Sequence, residues 1–166
     1  MLKRLTDFLD GQQVKYVVIT HSPAYTAQEI AASVHLPGRE VAKTVMVKVD
    51  GAMTMVVLPA SFMVDFTHLR QAISAGKVEL ATETEFRGLF PECEVGAMPP
   101  FGNLFSIKVI VDKSLTEDDE IAFNAGTHKE LVKLDYKDFD RLVRPSVASF
   151  GVRKKPHDAG EPHPVI

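Results

Sequence analysis

Val41-Ala42-Lys43-Thr44-Val45-Met46-Val47-Lys48-Val49-Asp50-Gly51-Ala52-Met53-Thr54-Met55-Val56-Val57-Leu58 is the stretch from which the fold is read. Two runs rich in valine and other apolar residues flank a single Asp50-Gly51 pair. Asp-Gly fits the left-handed backbone of a two-residue hairpin turn, so strands are predicted over 41–49 and 52–58. Alternate residues of a strand share a face, which puts Val41, Lys43, Val45, Val47 and Val49 together. Four of these five are valines, so that face turns toward a core. Lys43 is the exception, because an ammonium buried without compensation is costly. Spacing leaves two readings. Lys43 either lies at the strand edge and snorkels to water, or points into a pocket to meet a phosphate or a developing oxyanion.

Toward the N-terminus, Leu2, Leu5, Phe8 and Leu9 fall at helical spacing, which predicts a helix over 2–11 stopped at Gly11. Val14 to Thr20 reads as a strand. Thr26 and Glu29 form a capping box, predicting a short helix to about His35 that ends at Pro37-Gly38. Toward the C-terminus, Asp65 caps a helix running to about Ala75, and Val78 to Leu80 is a short apolar run. Thr82 and Glu85 make a second capping box. Residues 91–103 carry three prolines and two glycines and read as a structured loop. Strands are predicted at Leu104 to Val111, Glu120 to Asn124 and Glu130 to Leu134, the last two joined through Gly126. Asp135 caps a final helix through Leu142. Residues 151–166 hold three prolines, two histidines and few apolar side chains, and read as a mobile polar tail or an interaction segment. The expectation is one α/β (α+β) domain over 1–150 with a mixed, mostly antiparallel sheet flanked by helices.

The 166 residues suit one domain, and 45% apolar content is enough for a core. No apolar run is long enough to span a bilayer. Met1-Leu2-Lys3-Arg4-Leu5 lacks the pattern of a secretory signal, and a single cysteine makes no internal disulfide. A cytoplasmic protein with no membrane association is therefore expected. A net charge of −3 disfavours a grip on DNA or long nucleic acid, which needs clustered Lys and Arg, but leaves room for handling the end of an RNA. Oligomeric state is silent in the sequence, with a monomer as the default.

Two further stretches can carry chemistry. Gly96-Ala97-Met98-Pro99-Pro100-Phe101-Gly102 combines glycines, which allow close backbone approach, with prolines, which stiffen. Its amides could polarise a carbonyl oxygen as it gains charge, or the loop is merely a stiff connection. Asn124-Ala125-Gly126-Thr127-His128 joins two predicted strands. His128 could orient a water or hydroxyl or exchange a proton near neutral pH, or it is an exposed turn residue. Cys93 lies between Glu92 and Glu94, whose charges disfavour a thiolate nucleophile. Thr44 and Ser61 lack a nucleophile signature, no His-Glu-x-x-His, P-loop or dinucleotide fingerprint is present, and no metal or organic cofactor is expected.

Taken together and in this order, Glu40-Val41-Ala42-Lys43-Thr44, Gly96-x-x-x-Pro100 and Asn124-Ala125-Gly126-Thr127-His128 resemble the YbaK/EbsC family, which is related to the insertion editing domain of bacterial prolyl-tRNA synthetase. His21-Ser22-Pro23-Ala24-Tyr25-Thr26-Ala27-Gln28-Glu29 is similar to that family's early strand-to-helix stretch, and the likeness covers about residues 3–145. The resemblance implies a mixed sheet with one pocket, and hydrolysis of the ester joining a noncognate amino acid to the terminal ribose of a tRNA. It implies catalytic roles for Lys43, Gly96 and His128, and a substrate lining from Thr44, Ala97, Met98, Pro99, Pro100, Phe101, Gly102, Asn124, Gly126 and Thr127. Some tRNA-specific members have asparagine after the lysine where this chain has Thr44, which bears on amino-acid and tRNA preference. The implied partners are the acceptor end of a mischarged tRNA and an aminoacyl-tRNA synthetase. A binding module of the same fold, holding an aminoacyl end, a nucleotide or a synthetase without turnover, is the alternative.

Overall fold

The hairpin read from 41–58 is the centre of the molecule. In the computed structural model, which describes residues 1–21, 36–37 and 39–153, β2 (Ala42–Val49) and β3 (Ala52–Pro59) pair antiparallel from Ala42↔Pro59 to Val49↔Ala52. Asp50 and Gly51 turn between them with φ of 49° and 85°, the doubly left-handed geometry that Asp-Gly favours. Both faces of this hairpin are covered, which explains its nearly unbroken apolar run. Val45, Val47, Val56 and Leu58 pack with Leu69, Ile110 and Phe150 on one side. Met46, Met55 and Val57 face the larger core of Leu5, Leu9, Phe101, Phe123, Val132 and Phe139 on the other. Each such fully buried side chain is worth roughly 1.5–3 kcal/mol.

Among the described residues, β2 and β3 belong to a five-stranded sheet in the order β5 (Val78–Leu80), β2, β3, β6 (Lys108–Asp112), β9 (Ser146–Ala148). The β3–β6 and β6–β9 pairs are parallel and the others antiparallel. A second, antiparallel sheet runs β1 (Tyr16–Thr20), β8 (Glu130–Asp135), β7 (Glu120–Asn124). A small pair joins β4 (Phe62–Val64) to β10 (Gly151–Arg153). The two larger sheets meet at one parallel bridge, Val41↔Ala122, where the Ala122 amide donates to the Glu40 carbonyl at 2.9 Å. Helices α1 (Lys3–Gly11), α2 (Phe66–Ala72), α3 (Glu83–Phe86) and α4 (Tyr136–Val143) flank the sheets. The expected mixed, mostly antiparallel α/β domain is borne out.

Several local rules hold as read. Asp65 Oδ1 accepts from the His68 amide at 2.9 Å to start α2, and Thr82 and Glu85 form the reciprocal capping box of α3. The helix expected at 26–35 lies outside the described residues. The strand expected from Leu104 begins only at Lys108. Gly102–Phe105 first curls into a 3₁₀ turn, with Ser106 at φ 57°, because Gly102 packs directly against the Ile107 carbonyl and the Val109 side chain, where a Cβ has no room. Asp135 precedes α4 as expected but makes no side-chain capping bond. Short β4, β9 and β10 have no matching expectation. Of these, β10 falls in the stretch read as the start of the tail, whose residues 154–166 lie outside the described set. A buried carboxylate holds β10 in place. Asp112 Oδ1 accepts from the amides of Phe150 at 2.9 Å and Gly151 at 2.6 Å, while its Oδ2 takes the Ser114 amide and hydroxyl. Among the described residues, no helix is long and apolar enough to cross a membrane.

Candidate active site

Lys43 is 3% exposed, so the edge-and-water reading of this lysine is not what the fold adopts. Its place follows from the bridge between the sheets. β2 and β7 run in the same direction from Val41↔Ala122, so two residues further along each strand stand Lys43 and Asn124. Alternation puts both on the face that carries Val41 and Ala122, two residues packed by the same Leu36. Asn124 is 6% exposed, and its Oδ1 finds no hydrogen-bond donor among the described residues. A buried acceptor left in that state costs about 1–3 kcal/mol, so it marks a place where a ligand or water can repay the fold.

Beyond Asn124 the chain turns through Gly126, at φ 97°, to His128, which is 5% exposed. This turn is bonded to the Gly96 loop across about thirty residues of sequence. The Glu94 amide donates to the Gly126 carbonyl at 2.9 Å, and the Gly126 amide donates to the Ala97 carbonyl at 2.9 Å. The His128 amide donates to Glu94 Oε2 at 2.9 Å, and His128 Nε2 lies 2.7 Å from the Val95 carbonyl. A carbonyl only accepts, so Nε2 carries the hydrogen in this contact. Gly96 itself has φ 82°, which a residue with a side chain adopts only under strain. From the other side, the Leu2 amide donates to the Ala125 carbonyl at 2.8 Å, and a Cβ on Gly126 would stand 2.9 Å from that of Leu2.

Gly96, Ala97, Gly126 and His128 are thus joined by direct or neighbouring hydrogen bonds; Asn124 precedes that turn on β7, and Lys43 stands on β2 two residues beyond the Val41↔Ala122 bridge. Other lining residues of the sequence reading are placed differently. Thr44, next along β2 from Lys43, takes the opposite face with Ala42 and Met46, toward the larger core. The Met98 and Phe101 side chains are core residues, and Phe101 packs edge-on or tilted against Phe8, Phe123 and Phe139. Pro99, Pro100 and Gly102 are buried, and the prolines have no amide hydrogen to offer. The Ala97 amide is already bonded to the Glu94 carbonyl at 3.0 Å, whereas those of Gly96 and Met98 donate to no described residue. Thr127 is half-buried, and its Oγ1 accepts from the Lys129 amide at 3.3 Å. Burial, with Glu92 adding to it, pushes the Cys93 thiol up to about 11, far from a thiolate at neutral pH.

Glu94 and Val95 were not picked out by motif reading. Val95 contributes a backbone carbonyl, which has no sequence signature, and Glu94 looks like any exposed acid of a surface loop. A cleft of about 770 Å³ also opens near the start of β2 and β7, lined by Arg39, Glu40, Ser114, Asp118 and Arg153 among others. It contains none of Lys43, Gly96, Asn124 or His128.

Comparison with known proteins gives the family and its relatives. Residues 21–142 match the family model described as an aminoacyl-tRNA editing domain. The chain is 29% identical over 153 residues to the multifunctional Ser/Thr-tRNA deacylase ProXp-y of Escherichia coli strain K12, covering 89% of this chain and 91% of that protein. It is 24% identical over 148 residues to the prolyl-tRNA editing protein ProX of Acetoanaerobium sticklandii, covering 86% and 90%. A solved structure described as a candidate trans-editing enzyme for prolyl tRNA synthetase superposes with a TM-score of 0.75 at 20% identity, covering 93% of this chain and 97% of that one.

Proposed function

Because the chain belongs to the aminoacyl-tRNA editing domain family, we propose that it acts in trans to hydrolyse the ester between a small noncognate amino acid and the terminal ribose of a transfer RNA. The observation that carries this reading is the bonding of the Gly96 loop to the His128 turn, together with a buried lysine and a buried asparagine on two strands that meet at the Val41↔Ala122 bridge. No Ser or Cys nucleophile is built into these residues, so water attacks the carbonyl directly. As the tetrahedral oxyanion forms, loop amides without a described acceptor, those of Gly96 and Met98 among them, stabilise it. Lys43 supplies positive charge to the terminal phosphate or sugar. His128, held through Nε2, positions the water or the leaving ribose oxygen. Asn124 Oδ1 accepts from a polar hydrogen of the bound end.

Amino-acid choice comes from pocket volume, which separates side chains by only about 1–3 kcal/mol per methylene and favours alanine, serine or cysteine as substrates. Turnover takes place in the cytoplasm, alongside the synthetases that produce the mischarged tRNA.

A panel of mischarged tRNAs tests the reading. The wild-type chain is expected to release amino acid from at least one of them. Lys43→Ala is expected to lower that rate by about 100-fold or more, some 2.7 kcal/mol of transition-state stabilisation, with an unchanged circular dichroism spectrum. Tight binding without release from any tRNA favours a binding module instead, and near-normal turnover by Lys43→Ala removes the lysine from the mechanism.

A further inference from the structure

Resting on the deacylase reading, we propose that Glu94 is a positioning residue for His128, its carboxylate being the side chain that residues 94–97 contribute to the joint with the histidine turn. Four hydrogen bonds cross between residues 94–97 and 126–128. Three of them use backbone atoms on the 94–97 side: the Glu94 amide, the Ala97 carbonyl and the Val95 carbonyl. The fourth is made by the Glu94 carboxylate, which accepts the His128 amide at 2.9 Å. The same residue's carbonyl takes the Ala97 amide, which shapes the turn that holds Gly96 at positive φ. Glu94 therefore touches both halves of the site, yet its side chain is solvent-exposed and packs in no core cluster.

The consequence lies in the geometry of the imidazole. The ring is fixed at Nε2 by the Val95 carbonyl, and the backbone that carries the ring is fixed at the amide by Glu94. Two anchor points on neighbouring residues of one loop set both the position and the twist of the ring. Removing the carboxylate leaves the backbone bonds in place, so the fold survives, but the His128 amide loses its acceptor and the turn gains freedom. A shift of an ångström or less at a positioning histidine is enough to slow chemistry without weakening substrate binding in proportion.

Glu94→Ala, Glu94→Gln and Glu92→Ala separate this role from charge and from folding. Glu92 is a nearby acid bonded to Arg4 at 2.8 Å and serves as the charge control. Glu94→Ala is expected to lower kcat about tenfold or more with KM changed less than about threefold, the pattern of an interaction felt in the transition state. Glu94→Gln keeps an acceptor oxygen and is expected to return kcat to within about threefold of wild type, with Glu92→Ala unchanged. In a His128→Ala background, Glu94→Ala is expected to add less than about twofold, because the two act through one group. Nitrogen-15 spectra of the imidazole are expected to show His128 as the Nε2–H tautomer in the wild type and a mixture in Glu94→Ala. Wild-type kcat in Glu94→Ala, equal impairment in Glu94→Gln, additive effects with His128→Ala, or an Nδ1–H tautomer each overturn the proposal. A wild-type protein that releases no amino acid from any mischarged tRNA overturns the deacylase reading instead, and the tautomer spectra then decide the clamp alone.

Discussion

Gly51 and Gly126 both occupy positive φ in a turn that joins two antiparallel strands, at 85° and 97°. Gly51 has open space around it: a Cβ there meets nothing within 4 Å. Gly126 faces Leu2 on one side and exchanges hydrogen bonds with Glu94 and Ala97 on the other. The first turn needs glycine for its backbone alone. The second needs it for the backbone, for close packing and for holding His128 against another loop. Two turns with the same local requirement thus carry very different loads, and only the one built into the site is crowded.

Substitution by alanine at each turn measures that difference. Gly126→Ala is expected to cost about 1–2 kcal/mol for the left-handed backbone and a further 1–3 kcal/mol for overpacking against Leu2. A melt lowered by roughly 5–15 °C checks the stability, and because the turn must shift to relieve the contact, deacylation should fall about tenfold or more at temperatures where the variant is folded. A variant of full activity breaks the contrast, since the crowded turn would then carry no function. Gly51→Ala is expected to cost only the backbone term, about 1–2 kcal/mol, seen as a melt lowered by a few degrees with unchanged turnover. Lost activity in Gly51→Ala breaks the contrast from the other side.

The smallest effect is expected at the opposite end of β7. Burial, aided by Glu40, raises the Asp118 carboxyl to about 6, and its Oδ2 has no partner among the described residues. That value lies above the 3.8 of the unfolded chain, so the native state holds the proton more tightly and stability is lost as pH rises from about 4 through about 6. Asp118→Asn removes this ionisation. It is expected to melt about 1–3 °C above wild type at pH 7.5, and differential scanning calorimetry should find the gap closing below pH 4. A gap that persists at low pH assigns the gain to packing rather than to the charge.

Legibility in the sequence followed the range of the interactions. Asp50-Gly51, Asp65 and the Thr82–Glu85 box act on residues one to three positions away, and each was readable. Strands β9 and β10 were not. They are three residues each, half-exposed, and β10 is held at Gly151 by Asp112 from thirty-nine residues upstream. The start of β6 was misread because Gly102 had to pack on Ile107 and Val109, a requirement of assembled structure. Motif order singled out Lys43, Gly96 and His128, but motifs do not say which way a neighbour's side chain points: those of Phe101 and Met98 are in the core, and Thr44 faces away from Lys43. Glu94 reads from the sequence only as an acid beside Cys93, because an acid on a loop carries no pattern until its partner, the His128 amide, is in view.

The sequence by itself determined the central hairpin, the capped helices, the class of fold and the family, because alternation and turn chemistry act between residues close together in the chain and each family motif is a short run. Only the tertiary structure decided that Lys43 and Asn124 are both buried, that Nε2 of His128 is tied to Val95, and which loop amides have no described acceptor. The physical reason is that hydrogen bonds and burial across thirty or eighty residues depend on how sheets and loops meet, and strand and turn preferences do not encode that meeting.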